Sequence, residues 1–233
     1  MVHDHRAVQG GTARAAVFGI SDGLVSNVAL ILGVAAAAGA ASDGSAVIIA
    51  GVSGLLAGAA SMAAGEYVSM KAQNELIERE LRIERESLQN NPKMELRELQ
   101  AIYAKRGIEK DKALELAEAV HEDIEVALEV HAREELGVDP DDIGDPIGAS
   151  VSSFIAFAIG AILPLIPWFI ASGAGAMIAS VVVGLVAAAL VGVALAIFTE
   201  RSPVRTALRQ VSWAAGACVI TFVIGSLLGT TIA

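Results

Sequence analysis

The chain alternates long apolar runs with one long charged stretch. Apolar runs fall over residues 15–40, 45–70, 147–170, 174–198 and 207–232. Each is long enough to cross a hydrocarbon layer as a helix, which takes about 20 residues. Gly39, Ser42, Asp43 and Gly44 leave only a short turn between the first two runs. Connections that short join antiparallel neighbours. Pro164 and Pro167 near the end of the third run predict a kink or an early stop, because proline removes a backbone donor. Ser202-Pro203 reads as the cap of the last run.

Between the second and third runs lies a polar segment with helical periodicity. Residues 73–90 are charged and helix-favouring, continuing the second run without a break. Asn91-Pro92 predicts a cap and a restart, and Gly107 a stop, for a helix whose Leu96, Leu99 and Ile102 share a face. A third helix is predicted over residues 109–136, with Ala113, Ala117, Val120, Ile124, Leu128 and His131 forming a packing seam. Gly137 ends it, and Asp145-Pro146 caps the next run. The fold class is therefore all-α: a polytopic membrane protein with five transmembrane helices and a three-helix acidic insert. The expected parts are 1–70 (a polar tail and two spans), 71–146 (the insert) and 147–233 (three spans).

Composition sharpens this division. The chain has 55% hydrophobic residues and a mean hydropathy of +0.61. Residues 71–146 hold 21 acidic and 11 basic residues, so the insert carries the whole net charge of -10. Such acidity argues against nucleic acid and for cations as partners. The lone Cys218 allows neither a disulfide framework nor a CxxC site, and reads as a small lipid- or helix-facing residue. The first apolar run is too long for a signal peptide and contains Asp22. Arg6, Arg14, Lys71, Arg201, Arg205 and Arg209 all fall on one side of the spans. The positive-inside rule then places the N-terminus and the insert in the cytosol.

The chemistry sits where an apolar run is broken. A carboxylate in hydrocarbon costs roughly 2.5–3.5 kcal/mol and faces a partner, a water-filled path or a cation. Asp22 lies about 12 Å from the Arg14 end of its run, and Met62 about 13–14 Å from the Lys71 end of the next, from the 1.5 Å helical rise. Glu66 is one turn shallower than Met62 on the same face. Glycine pairs 19/23 and 54/58 permit close helix approach. His3 and His5 in the tail are weak metal candidates. In the insert, Glu95 and Glu98 share a face expected to lie opposite the leucines. Glu118-Ala-Val-His121 forms an ExxH motif, of which di-iron bundles need two; His121 is expected to be an exposed helix residue.

The segments DGLVSNVALILGVAAA and GLLAGAASMAAGEYVSM, the acidic helical insert and the PLIP span, in that order, resemble the vacuolar iron transporter family. The first two segments are specific and the later spans generic. The resemblance implies a five-span homodimer that exports ferrous iron, and sometimes manganese, from the cytosol in exchange for protons. It implies Asp22 and Met62 as membrane metal ligands, with Glu66 as the glutamate of GEY. It implies insert ligands at Glu84, Glu95, Glu98 and Glu135. Ser87 stands where the pattern has a glutamate, with Glu86 beside it. His131 and Ala132 stand where it has methionines; His131 remains a possible ligand and Ala132 does not.

Carboxylate and imidazole donors suit Fe²⁺, Mn²⁺, Zn²⁺ and Co²⁺, and a thioether disfavours Mg²⁺ and Ca²⁺. The expected protein is a secondary transporter and not an enzyme: no P-loop or HExxH is present. Its partners are the lipid bilayer, a second copy of itself, divalent metals and protons. An Ala-rich, Cys-poor chain suggests a prokaryotic-type member in the cytoplasmic membrane, with the vacuolar membrane as the eukaryotic alternative. The competing reading is a membrane-anchored iron sensor or ferroxidase-like protein in which only the insert works.

Overall fold

A computed structural model describes residues 11–39, 44–140 and 143–232. Tail residues His3 and His5 and most of the first turn lie outside them. Every regular element among the described residues is helical, and the chain forms two compact units. One comprises residues 1–68 and 145–233, the other residues 69–144.

The first unit is built around α1 (Gly11–Ala38). Around it lie the start of α2 (Ser45–Asn90), α6 (Pro146–Ile162), α7 (Ile166–Ile170), α8 (Gly173–Phe198) and α9 (Pro203–Ile232). Among the described residues, five helical segments are long and apolar enough to cross a membrane, as the hydropathy pattern predicts. The third is interrupted where the prolines foretell it. α6 ends at Ile162, a 3₁₀ turn covers Leu163–Leu165, and α7 resumes. Neither Pro164 nor Pro167 can donate to the carbonyl four residues back. The Pro164 carbonyl instead accepts a 2.6 Å hydrogen bond from the buried Ser180 hydroxyl. At the start of α6 the Asp145 side chain accepts from the Ile147 amide, and Pro146 occupies the first turn.

Glycine pairs with the same spacing do different work. A Cβ on Gly23 would lie 2.2 Å from the Phe157 carbonyl oxygen, and one on Gly160 2.2 Å from that of Ile20, so α1 and α6 touch backbone to backbone. On α2, Gly51, Gly54 and Gly58 instead receive the side chains of Leu165, Leu30 and Phe157. Asn27 crosses the α1–α6 contact and donates to the Ala161 carbonyl at 2.6 Å. Cys218 is buried with Val28 and Leu32, facing helices.

The second unit holds the remainder of α2, α3 (Pro92–Lys105), α4 (Lys110–Val120) and α5 (Ile124–His131), followed by a π turn over Ala132–Leu136. The helix expected over 109–136 is thus two helices. The chain turns at His121–Asp123, where the Asp123 side chain accepts from the Glu125 amide and starts α5. The seam consequently splits. Ala113, Ala117, Leu128 and His131 are buried, but Ile124 is exposed. Asn91 takes the N-cap position of α3 without a side-chain cap bond. Asn74 donates to the Gly144 carbonyl at 2.8 Å, fastening the two ends of the unit together.

Candidate metal sites

The second unit gathers carboxylates and a histidine from three helices. Glu84 comes from α2, Glu95 from α3 and His131 from the end of α5. Each offers one donor atom, and the three atoms lie within 4.8 Å of one another. His131 is fully buried, with its Nδ1 at 3.0 Å from Glu84 Oε1, 3.7 Å from Glu135 Oε2 and 3.9 Å from Glu95 Oε2. Glu98 completes the set, its charge acting on both Glu84 and Glu135. Five of the residues singled out in the sequence therefore form one cluster.

Glu95 corrects the sequence reading. It is buried on the side of α3 that carries Leu99, one turn on, and not on a solvated face. Its burial is tolerated because the Ser87 hydroxyl donates to Glu95 Oε1. Ser87 therefore holds a ligand candidate, and Glu86 is exposed. His121 is also displaced from expectation: it is half-buried at the end of α4. Its Nδ1 lies 2.8 Å from the Ala117 carbonyl, and its ring stands edge-on to that of His131 at 5.3 Å.

The electrostatics suit a cation. Three arginines of this unit are paired with other carboxylates: Arg85 with Glu125, Arg106 with Glu134, and Arg133 with Glu129 and Asp139. Burial, and then the Glu135, Glu95 and Glu98 carboxylates, push the Glu84 carboxyl up to about 7. Burial and the Glu98 and Glu95 charges likewise raise Glu135. Burial and then His121 lower the His131 pKa against the pull of Glu95, favouring the neutral imidazole that binds metals. His131 Nδ1, His131 Nε2 and Glu84 Oε1 are buried without a hydrogen-bond partner. Such orphans are costly unless something else binds them. Two donors held at about 2.1 Å from one ion and at right angles would stand about 3.0 Å apart, the spacing seen between His131 Nδ1 and Glu84 Oε1. The residues present fit a divalent first-row cation.

The membrane residues sit in the first unit. Asp22 belongs to an exposed stripe on α1, Phe18–Asp22–Ser26–Leu30, each one turn from the next. Met62 is half-buried against Ala59, Phe157 and Ala161. Glu66 is paired with Arg14 at 3.4 Å, which places it beside the start of α1, as its shallower position predicts.

A profile of the VIT family matches residues 13–226. The chain is 32% identical to vacuolar iron transporter 1 of Eucalyptus grandis over 86% of this chain and 80% of the relative. It is also 32% identical to vacuolar iron transporter 1 of Arabidopsis thaliana, over 85% and 78%. To the vacuolar iron transporter of Acanthamoeba castellanii it is 37% identical over 70% of this chain and 58% of that protein.

Proposed function

This chain belongs to the VIT family, and from that premise we propose that it is a secondary transporter that exports ferrous iron from the cytosol in exchange for protons. Manganese is its second cargo. The insert collects metal through Glu84, Glu95 and His131, with Glu98 and Glu135 completing the negative cluster. Asp22 and Met62 line the membrane path, and Glu66 stands at its entrance. The relatives' names as iron transporters support the cargo. The observation that carries the site is the buried trio of donor atoms within 4.8 Å, two of whose members lack any hydrogen-bond partner.

The exposed Asp22 stripe supports a homodimer. A carboxylate about 12 Å along a span cannot be left against lipid without the cost noted above, and so calls for a facing chain. A twofold axis along this stripe brings two Asp22 carboxylates together around a path. Carboxylates that release metal take up protons, which gives the exchange its chemistry. The cytosolic placement of the insert rests on the arginine and lysine asymmetry.

The test is metal uptake into proteoliposomes under an imposed pH gradient, comparing Fe²⁺, Mn²⁺ and Mg²⁺. Gradient-dependent Fe²⁺ and Mn²⁺ flux without Mg²⁺ flux, abolished by Asp22→Ala, is the expected result. No flux of any metal, with metal binding to the full chain intact, sinks the transporter reading and leaves an iron-binding sensor.

A further inference from the structure

The link between α8 and α9 carries a feature that metal transport does not use. Outside the acidic insert the chain has five basic residues, and Arg201, Arg205 and Arg209 are three of them. All three line one cleft of about 670 Å³, together with Ser202, Thr206, Thr199 and Glu200. Among the described residues none of these guanidinium groups is ion-paired, even with Glu200 beside them. Arg205 and Arg209, four apart on α9, form a stripe that continues one turn further to Trp213, which is 73% exposed, and Arg201 lies in the link just before the helix.

The position of this stripe relative to a bilayer follows from helix length. The last candidate span covers Pro203–Gly229, 27 residues. A hydrocarbon core takes about 20, so roughly seven residues remain outside it. The polar end of the helix supplies them, placing Arg205 and Arg209 in the headgroup layer. Trp213 then lies at the upper edge of the hydrocarbon, where its ring is favoured. Phe198, Val204 and Leu208 are exposed and apolar at this end of the two helices.

We propose that the α8–α9 cleft binds the headgroup of an anionic phospholipid, with Arg201, Arg205 and Arg209 holding its phosphate and Trp213 packing at the glycerol level. Arginine suits this task because its planar fork meets phosphate oxygens in pairs. The Ser202 and Thr206 hydroxyls line the same cleft as further polar groups. A basic residue at an anionic surface adds roughly fivefold in affinity, so three are expected to give a preference for anionic over zwitterionic lipid of at least about tenfold.

The experiment uses the full-length protein in nanodiscs and follows tryptophan quenching by brominated phosphatidylglycerol or brominated phosphatidylcholine. Trp213→Phe identifies the quenched ring. Preferential quenching of Trp213 by phosphatidylglycerol, lost in the R201Q/R205Q/R209Q variant, is the expected result. Equal quenching by both lipids, or a preference that survives the triple substitution, overturns the proposal. Inorganic phosphate that protects the protein in a pure phosphatidylcholine bilayer as well as phosphatidylglycerol does would make this a soluble-anion site and also overturn it. If the glutamine variant does not fold, a salt titration of the wild type decides: the preference must collapse as ionic strength rises, and a salt-insensitive preference refutes the assignment.

Discussion

Replacing Gly23 by alanine should damage the membrane unit, although the same change at Gly216 should not. The two glycines are both inside apolar helices and look alike in sequence. At Gly23 the added carbon would stand 2.2 Å from the Phe157 carbonyl oxygen, 2.9 Å from its carbon and 3.0 Å from its Cα. A carbon resting against a carbonyl oxygen needs about 3.3 Å. α1 and α6 must therefore separate by about 1 Å over a contact that includes the Asn27 bond to Ala161. Overpacking of this kind costs about 1–3 kcal/mol, and backbone is less able to yield than a side chain. The gain from alanine's helix propensity is at most about 1 kcal/mol, so the net effect is a loss. At Gly216 nothing lies within 4 Å of the new carbon, and only the gain remains. Gly23→Ala should lower the apparent melting temperature in detergent by roughly 5 °C, and Gly216→Ala should leave it unchanged or raise it. Gly160→Ala, which strikes the Ile20 carbonyl across the same contact, should add little to Gly23→Ala because the helices are already apart. Equal melting temperatures for Gly23→Ala and Gly216→Ala, or full additivity of Gly23→Ala and Gly160→Ala, would refute the backbone contact.

Metal binding to the insert should release protons in a pH-dependent way. Glu84 is raised from 4.5 to about 7 in the folded chain, so its protonated form favours the metal-free fold, and that contribution is lost as pH rises through 7. A metal needs the ionised form, so Glu84 gives up about 0.9 proton at pH 6, about 0.5 at pH 7 and about 0.1 at pH 8. Calorimetry in buffers of different ionisation enthalpy reads these values, and Glu84→Gln should remove this part of the release. Ser87→Ala takes away the hydroxyl that orients Glu95, and should weaken metal binding roughly tenfold in a chelator competition while the melting temperature of the metal-free protein moves little. Arg14→Ala should change stability by under about 1 kcal/mol, because its pair with Glu66 is long at 3.4 Å and Arg14 is exposed; a larger loss in thermal unfolding would show that the pair holds α1 to α2.

Much of the membrane unit is legible in the sequence because apolar length is a one-dimensional signal. The runs, the Asp145-Pro146 cap and the Pro164/Pro167 interruption are all local, and each appears where the residues place it. What each glycine faces is not local. Gly23 meets backbone and Gly58 meets the Phe157 ring, and nothing in their four-residue spacing distinguishes them. In the insert the seam residues were readable but the turn at His121–Asp123 was not, since alanine and leucine periodicity runs through it. Asp123 two residues before Glu125 was the available cue, as a short carboxylate that accepts the second helical amide. Glu95 was misplaced because glutamate is so seldom buried, and the partner that permits it, Ser87, is a turn and a helix break away. His121 beside His131 is likewise a tertiary contact between α4 and α5, with no signature in either helix alone.

The central claim is that Asp22 exchanges a divalent metal for protons. Its most direct test is the simultaneous recording of Fe²⁺ entry and internal pH in proteoliposomes that start without a pH gradient. The account predicts that Fe²⁺ entering down its own gradient drives protons out, and that Asp22→Asn removes both signals together. Fe²⁺ entry with no proton movement, or proton-coupled entry undiminished in Asp22→Asn, would contradict it.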